Sequence, residues 1–316
     1  MLTKKILITG ITGFIGRHLS EELIKQGYEV SGLIRYVSDR NKFELPKVPL
    51  YFGDILDYNY LREALKDIRP DIVIHLAMQS SVEYSFRNPY EEYRVGFLGT
   101  SNIAQAAMEV VPELEKFIFA SSVEVYGNQK SFPIKEDAIL KPASPYGVAK
   151  VSAEYLLRYL YESHNFPYMA FRSTNTYGRK FNCNFIVEHV ISQMLKGTNR
   201  ILLGNPNPIR DYLFVDDEVD AYIKLIQTNT FGGVFNTGTG RSITVKELVR
   251  IIGEILDYKG GIEWNRTYKR PYEIEDLSVD IGKIKTILGW SPKYSLESGL
   301  TQTIDWWRKY LENRKN

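Results

Sequence analysis

Short apolar runs alternate with amphipathic stretches along residues 4–172. Three strand-length runs are mostly apolar, as in strands that are buried on both faces of a parallel sheet: residues 4–9, 71–76 and 116–120. A helical period predicts helices over 90–111, before Pro112, and over 144–163, with Pro145 near its start. The strand at 167–172 follows. This alternation predicts an α/β fold.

The first strand runs directly into a glycine-rich turn and then into a helix. Gly10, Gly13 and Gly16 follow residues 4–9. Gly10 permits a tight turn, Gly13 lets a ligand approach the backbone, and Gly16 lets helix and strand pack closely. The helix N-terminus offers free N–H groups and a positive dipole end to a pyrophosphate. A second strand at 29–34 completes the βαβ unit, so the pattern predicts dinucleotide binding rather than a purely structural turn.

Two lobes are expected from the change in pattern after residue 172. Residues 1–172 form the predicted dinucleotide-binding domain, and beyond them Gly, Asn and Pro become frequent, as in residues 204–208. We expect residues 173–316 to form mainly a smaller C-terminal substrate-binding lobe, with a segment near 208–235 returning to the first domain. The predicted fold is therefore a doubly wound parallel (Rossmann) sheet with a smaller second lobe.

Composition narrows the class of protein. The 316 residues are 44% hydrophobic and 25% charged, with a net charge of +2 and no run of five basic residues, so we expect neither a nucleic-acid nor a membrane partner. The single cysteine, Cys183, cannot form an internal disulfide and is expected to be a small buried residue. Four scattered histidines show no metal-ligand spacing, so no metal is expected. These features are typical of a cytoplasmic enzyme.

A second candidate motif is Tyr146 and Lys150, which lie on one face of the predicted helix because they are four residues apart. A phenol with a pKa near 10 is a poor base at neutral pH, but a nearby ammonium favours the phenolate. Tyr146 can then take a proton from a substrate hydroxyl while hydride leaves the same carbon. A hydroxyl partner is expected in the serine-rich segment 121–127. The alternative is an ordinary exposed helix face.

Eight segments appear in an order typical of one enzyme family: TGITGFIG at 9–16, GDI at 53–55, HLA at 75–77, SSVEVYG at 121–127, YGVAK at 146–150, RSTNTYG at 172–178, RDYLFVDD at 210–217 and RPYEIE at 270–275. Over nearly its whole length the chain resembles the extended short-chain dehydrogenase/reductases that are nucleotide-sugar epimerases or dehydratases. The resemblance implies bound NAD or NADP, a nucleoside-diphosphate sugar in the second lobe, and transient oxidation at C4 of the sugar.

Carried over residue by residue, the resemblance implies that Ser122, Tyr146 and Lys150 form the catalytic triad. It implies that the cofactor contacts residues from both halves of the first domain: Gly10, Gly13, Phe14, Ile15, Gly16, Asp54, Ile55, Leu76, Ala77, Tyr146 and Lys150. Asp54 and Ile55 would touch the adenine.

The resemblance also implies that Asn175, Arg210 and Arg270 hold the nucleotide and diphosphate of the substrate. Arginine suits this role because its planar guanidinium makes bidentate phosphate contacts. The alternative for the two arginines is a surface ion pair, with Asp211 and Glu273 as partners.

Two positions depart from the family pattern. Gly96 stands where many members carry an asparagine near the catalytic tyrosine. Many NAD-preferring members end the second strand with aspartate, but here Ile34 is followed by Arg35, which can pair with the 2′-phosphate of NADP. The segment 27–35 also resembles GDP-mannose 4,6-dehydratases, which use NADP. We therefore expect NADP, with NAD as the alternative and Arg35 then stacking on the adenine.

The predicted reaction depends mainly on Glu124. Sugar 4,6-dehydratases carry glutamate two residues after the catalytic Ser or Thr, whereas simple 4-epimerases usually carry a small residue. Val123 replaces the aspartate of dTDP-glucose 4,6-dehydratases, which GDP-mannose dehydratases also lack. We predict a nucleotide-sugar 4,6-dehydratase in which Glu124 is catalytic, with GDP-mannose as the first candidate substrate. The alternatives are a 4-epimerase of the UDP-glucose/UDP-galactose type, a 4-keto-sugar reductase, or a protein that binds cofactor without turnover.

A homodimer or homotetramer is expected, because relatives commonly associate through two helices per subunit. Here these helices are 90–110 and 145–163, and the second carries an apolar stripe formed by Tyr155, Leu156, Tyr159 and Leu160. The alternative is that this stripe faces its own sheet. Side chains in segments 182–185 and 203–210 are expected to select the nucleotide and the sugar.

Overall fold

A computed structural model describes residues 3–35, 47–180, 183–265 and 272–313. Twelve strands lie within these ranges: β1 (Lys5–Thr9), β2 (Glu29–Ile34), β3 (Leu50–Phe52), β4 (Ile72–His75), β5 (Lys116–Ser122), β6 (Tyr168–Ser173), β7 (Asn175–Tyr177), β8 (Arg200–Leu203), β9 (Ile209–Phe214), β10 (Gly233–Thr237), β11 (Ser242–Thr244) and β12 (Gly261–Trp264). Seven of them form one parallel sheet in the order β10-β6-β5-β4-β1-β2-β3.

Helices cover both faces of this sheet. The α-helices in the described ranges are α1 (Phe14–Lys25), α2 (Tyr58–Ile68), α3 (Val82–Arg87), α4 (Pro89–Tyr93), α5 (Gly99–Val110), α6 (Pro145–His164), α7 (Ile186–Leu195), α8 (Val215–Gln227), α9 (Val245–Leu256), α10 (Gly282–Leu288) and α11 (Leu296–Asn313). Along β1, Ile6 and Ile8 enter a core with α1 and α8, whereas Leu7 enters a core with α2, α5 and α6. Two buried faces explain why the strands read as continuous apolar runs. The predicted doubly wound fold is confirmed.

The sheet order reverses between β1 and β4, because β2 and β3 lie on one side of β1 and β4, β5 and β6 lie on the other. In such sheets, a crevice opens outside the carboxyl ends of the strands at the point of reversal. The turn after β1 and the segment after β4 both meet at this crevice, and this topology positions the candidate site.

Smaller sheets lie beyond β6. One contains β7, β9 and β11, and the other contains β8 and β12. The segment near 208–235 is shared: β9 belongs to the small sheet, α8 packs against α1, and β10 pairs with β6 at the edge of the main sheet. No helix within the described ranges carries an apolar stretch long enough to cross a bilayer.

The helix predicted over 90–111 is interrupted. A π-helical turn, Arg94–Leu98, separates α4 from α5. Glycines permit close contacts there: a Cβ on Gly96 would lie 2.4 Å from Met78 Cε, and one on Gly99 would lie 2.5 Å from Ile55 Cδ1. Periodicity alone gives only the average helical repeat, so it did not reveal the wider turn.

Candidate active site

A cavity of about 1150 Å³ opens between the carboxyl edge of the main sheet and the smaller sheets. It brings together many of the predicted site residues, which line its wall: Gly10, Gly13, Phe14, Ile15, Gly16, Leu76, Ser122, Glu124, Tyr146, Lys150, Asn175 and Arg210. Residues distant in sequence meet here because parallel strands end at the same edge.

The glycine turn at the cavity is too tight for side chains. Gly10 has φ +73°, and a Cβ there would lie 2.8 Å from the Ala77 nitrogen. A Cβ on Gly16 would lie 2.5 Å from the Gly10 oxygen. Gly13 precedes α1, whose N-terminus has no side-chain cap and no acidic residue in its first turn. This cradle fits a dinucleotide pyrophosphate, because backbone N–H groups and the helix dipole face the cavity without a competing carboxylate.

The residues predicted to contact the adenine and its ribose lie outside the cavity wall. Arg35 is exposed immediately after β2, and Asp54 follows the neighbouring β3. The Asp54 carboxylate accepts a hydrogen bond from the Leu56 N–H at 3.0 Å. Ile55 is buried against α5, and Ala77 lies behind Gly10, where its N–H donates to the Thr9 hydroxyl at 3.3 Å.

Ser122 and Tyr146 are paired at the end of β5. Ser122 is the last residue of this strand, and its hydroxyl accepts the Glu124 N–H at 3.2 Å as a 3-10 turn begins. Burial raises the pKa of Tyr146 above its ordinary value, and the charges of Glu124 and Glu92 raise it further, while a hydrogen bond with Ser122 lowers it. Burial therefore dominates in this structure, and the pKa of Tyr146 lies above its ordinary value.

Lys150 is buried beneath the two aromatic rings of Phe119 and Tyr146. Its Nζ lies 4.7 Å from the Phe119 ring centroid and 5.6 Å from the Tyr146 ring centroid, and it donates a hydrogen bond to the Ala120 carbonyl. Burial lowers the pKa of Lys150 to about 8, against the opposing charges of Glu92 and Glu154. The ammonium form is therefore only moderately favoured at neutral pH.

Asn175 and Arg210 reach the cavity from the small sheet, on β7 and β9. The buried Arg210 guanidinium donates hydrogen bonds to the carbonyls of Ile209 and Ile274, each at 2.8 Å. Asp211 lies next to Arg210 in β9, and neighbouring strand residues point to opposite faces. The Asp211 carboxylate accepts hydrogen bonds from the Thr239 N–H and hydroxyl, whereas Arg210 binds backbone carbonyls. Arg270 and Asn182 lie outside the described residues.

Comparison with known proteins agrees with this geometry. The sequence profile of the family described as GDP-mannose 4,6 dehydratase matches residues 7–303. A Thermotoga maritima UDP-glucose 4-epimerase, solved with UDP-glucose, is 33% identical, with a TM-score of 0.91 over 97% of this chain and 99% of that chain. The chain belongs to the extended short-chain dehydrogenase/reductase family of nucleotide-sugar epimerases and dehydratases.

Relatives in this family carry out both reactions. The dTDP-D-glucose 4,6-dehydratase of Mus musculus is 28% identical over 331 residues, which cover 99% of this chain and 91% of the relative. A Thermus thermophilus UDP-glucose 4-epimerase, solved in complex with NAD, is 27% identical, with a TM-score of 0.88 over 96% of this chain and 99% of that chain. The resemblance inferred from the motifs is confirmed, and the protein is an enzyme of this epimerase/dehydratase family.

Several residues at the site had no signal in the sequence. Lys180 and Glu188 form a buried ion pair on the cavity wall at 3.4 Å, and Lys180 Nζ lies 4.0 Å from the Phe185 ring centroid. Their partnership depends on how β7 and α7 pack, which no local pattern reports. Cys183 was expected to be fully buried but is half-buried on the cavity wall. It lies in segment 183–185, which borders the cavity.

Proposed function

We propose that this family member is a nucleotide-sugar 4,6-dehydratase. The observation that carries the proposal is the position of Glu124 on the same cavity wall as Ser122 and Tyr146, close enough for its charge to act on the Tyr146 phenol. Once C4 of a hexose is a ketone, the proton on C5 becomes acidic, and a carboxylate on this wall is suited to remove it.

Each proposed residue has one role in this reaction. When bound along the glycine cradle, NAD(P) would supply a hydride acceptor for C4 and a hydride donor for C6. Ser122 and Tyr146 hydrogen-bond the C4 hydroxyl, and Tyr146 takes its proton, assisted by the Lys150 ammonium. Glu124 takes the C5 proton and gives it to the departing C6 hydroxyl, which leaves as water. The proton that Tyr146 took from the C4 hydroxyl balances the one that C5 then receives, so the product is a 4-keto-6-deoxy sugar plus one water.

The cofactor is proposed to lie along the glycine cradle, with its adenine end towards Arg35 and Asp54. Arg35 favours NADP because a guanidinium can pair with the 2′-phosphate. The Thermus thermophilus relative, in contrast, was solved with NAD. Titration with each cofactor tests the choice. If Arg35→Ala weakens NADP binding and leaves NAD binding unchanged, the assignment holds; equal effects on both would contradict it.

The substrate is proposed to be a nucleoside-diphosphate sugar held by Asn175, Arg210 and Arg270. Arg210 lines the same cavity as the glycine cradle, and its guanidinium is suited to a diphosphate contact. GDP-mannose is the first candidate, from the description of the matching family. Segments 183–185 and 202–205 line the same cavity and are the proposed determinants of nucleotide and sugar choice.

A UDP-sugar 4-epimerase is the second candidate function. It is favoured by the Thermotoga maritima UDP-glucose 4-epimerase, which covers almost the whole chain at 33% identity. In an epimerase, Ser122, Tyr146 and Lys150 would keep their roles, but no water would leave. Glu124 would then have a structural role.

Product mass distinguishes the two functions. The purified protein is incubated separately with GDP-mannose, UDP-glucose, UDP-N-acetylglucosamine, dTDP-glucose and CDP-glucose, with NAD or NADP. Loss of one water identifies a dehydratase, whereas unchanged mass with a new sugar peak identifies an epimerase. With the active substrate, Glu124→Gln should stop water loss while still permitting cofactor reduction. Glu63→Gln is the matched control, because Glu63 is an exposed acid that pairs with Lys66 and does not line the cavity.

A homodimer or homotetramer is also proposed. Large apolar side chains are exposed on α4, the π-helical turn and α6, which pack together: Tyr90, Phe97, Leu98, Tyr155 and Tyr159. Tyr155 is 59% exposed, so its side of α6 does not face its own sheet, whereas Leu156 and Leu160 of the predicted stripe pack against the core. Light scattering should show a multimer, and the pair Tyr155→Glu and Tyr159→Glu should reduce it to a monomer.

A further inference from the structure

A buried carboxyl group that the proposed reaction does not use lies next to the candidate catalytic helix. Glu92 is on α4, which packs against α6, and it is only 1% exposed. Neither of its carboxyl oxygens has a hydrogen-bond partner among the described residues. A buried charge in such a position is expensive unless an opposite charge compensates it.

Lys150 is the cation whose charge acts on Glu92. Other charged groups near α4 are already paired: Glu91 with Arg94 at 3.6 Å, and Glu83 with Arg87 on α3. Glu154, the second carboxylate that acts on Lys150, is bound by Arg172 at 2.6 Å.

Of the two carboxyl groups whose charges act on Lys150, Glu92 is therefore the one that lacks a separate counter-charge among the described residues. Burial raises the pKa of Glu92 to about 7, and burial lowers the pKa of Lys150 to about 8. When two interacting groups have pKa values this similar, the protonation of one depends on the protonation of the other near neutral pH.

We propose that Glu92 is a positioning residue that acts through Lys150, as the counter-charge that keeps Lys150 an ammonium within the closed site. This inference rests on the proposed roles of Tyr146 and Lys150 in C4 oxidation. The Glu92 charge also opposes ionisation of Tyr146. Glu92 thus stabilises the protonated forms of both groups and sets the pH range in which the pair is active.

Glu92→Gln tests this coupling because it removes the charge and keeps nearly the same shape. Without the charge, both Lys150 and Tyr146 lose their protons at lower pH. We expect this in the pH dependence of kcat, measured with the nucleotide sugar that the enzyme converts. Both its acid and its alkaline limb should move to lower pH, by at least about half a pH unit for a buried charge. A simple packing defect would lower activity without moving the limbs. Glu92→Asp, which keeps the charge, should restore the limbs towards those of the wild type.

Glu162→Gln is the matched control, since it removes an exposed charge from α6, the helix that carries Lys150, and should leave the profile in place. Unfolding in urea at pH 8 supplies a second readout that needs no substrate. The variants Glu92→Gln and Lys150→Met should be non-additive there, because each removes the other's partner. The inference is overturned if the losses of unfolding free energy in the two single variants add up in the double variant and the pH profile of kcat is the same in Glu92→Gln as in the wild type. If the wild type turns over none of the sugars, the proposed function fails, and the unfolding cycle alone decides whether Glu92 and Lys150 are coupled.

Discussion

Arg172 on β6 and Glu154 on α6 form a buried, bidentate ion pair. The Nη2–Oε2 distance is 2.6 Å and the Nε–Oε1 distance is 3.1 Å, and both side chains are almost completely inaccessible. Tyr126 accepts a further hydrogen bond from Arg172 at 3.0 Å, and the Ser121 hydroxyl donates to Glu154. The pair thereby joins the helix that carries Tyr146 and Lys150 to the sheet beneath it.

Glu154→Gln should destabilise the protein strongly, because it leaves the Arg172 charge buried without compensation. We expect a loss of about 3–5 kcal/mol in the free energy of unfolding, measured in urea. Adding Arg172→Met should recover much of this loss, since the double variant no longer buries an unpaired charge. A double variant no more stable than Glu154→Gln alone would contradict this account.

Gly10→Ala should weaken cofactor binding and destabilise the fold. The added Cβ combines a positive φ with a 2.8 Å contact to the Ala77 backbone nitrogen. Gly27 is a matched control, because it also has a positive φ, +85°, but has no atom within 4 Å of an added Cβ. Gly27→Ala should cost only about 1–2 kcal/mol of backbone strain. Fluorescence titration with NAD and NADP should show reduced affinity for Gly10→Ala alone.

His75 should make the protein less stable in acid. Its ring nitrogens bond the Thr9 and Thr100 hydroxyls, and burial lowers its pKa to about 3. The unfolded chain binds a proton below about pH 6.5 that the folded protein excludes. Above about pH 6.5, His75 therefore does not lower the free energy of unfolding. As the pH falls from 6.5 towards 3, it lowers that free energy by at most about 1.4 kcal/mol per pH unit.

The His75 effect must be measured as a difference between variants. Glu92 and Glu218, whose pKa values burial raises to about 7, give the opposite slope between about pH 4.5 and 7. Urea unfolding of wild type and His75→Gln at pH 7, 6 and 5 cancels their contribution. The stability advantage of the wild type should narrow as the pH falls. A constant advantage would show that His75 does not titrate on unfolding.

Gly96→Asn, which introduces the residue that many family members carry, should destabilise this protein. Its Cβ would lie 2.4 Å from Met78 Cε and 3.0 Å from Ala149 Cβ, so the helix or the methionine must move. We expect a loss of about 1–2 kcal/mol in urea unfolding. Met78→Ala in the same chain should relieve the contact and recover part of the loss. Purely additive effects would mean that Met78 does not occupy this space.

The apolar runs predicted the central sheet well, because its strands are buried on both faces and contain few polar residues. The helix predicted over 144–163 is also present as α6, and the Ser144 hydroxyl caps it by accepting the Gly147 N–H at 3.1 Å. Motifs identified the cradle and the wall that carries Tyr146, since both are local sequences at strand ends. The inward position of Glu92 was not predictable from its acidic neighbourhood, in which Glu91 is paired near the surface. The pKa of Tyr146 likewise depends on how much protein surrounds it.

The π-helical turn at 94–98 has a geometric consequence for Glu92. Successive residues of an α-helix are rotated by about 100° about the helix axis. One additional residue in a turn therefore rotates the preceding segment, here α4, by that angle relative to the helix that follows. On either side of this turn, α5 packs against both α2 and α6, whereas α4 packs against α6. Deleting one residue from this turn would twist α4 about its axis and carry the Glu92 carboxyl away from Lys150. The number of residues in this one turn therefore fixes the rotation of α4 about its axis, and that rotation determines which of its side chains faces the interior.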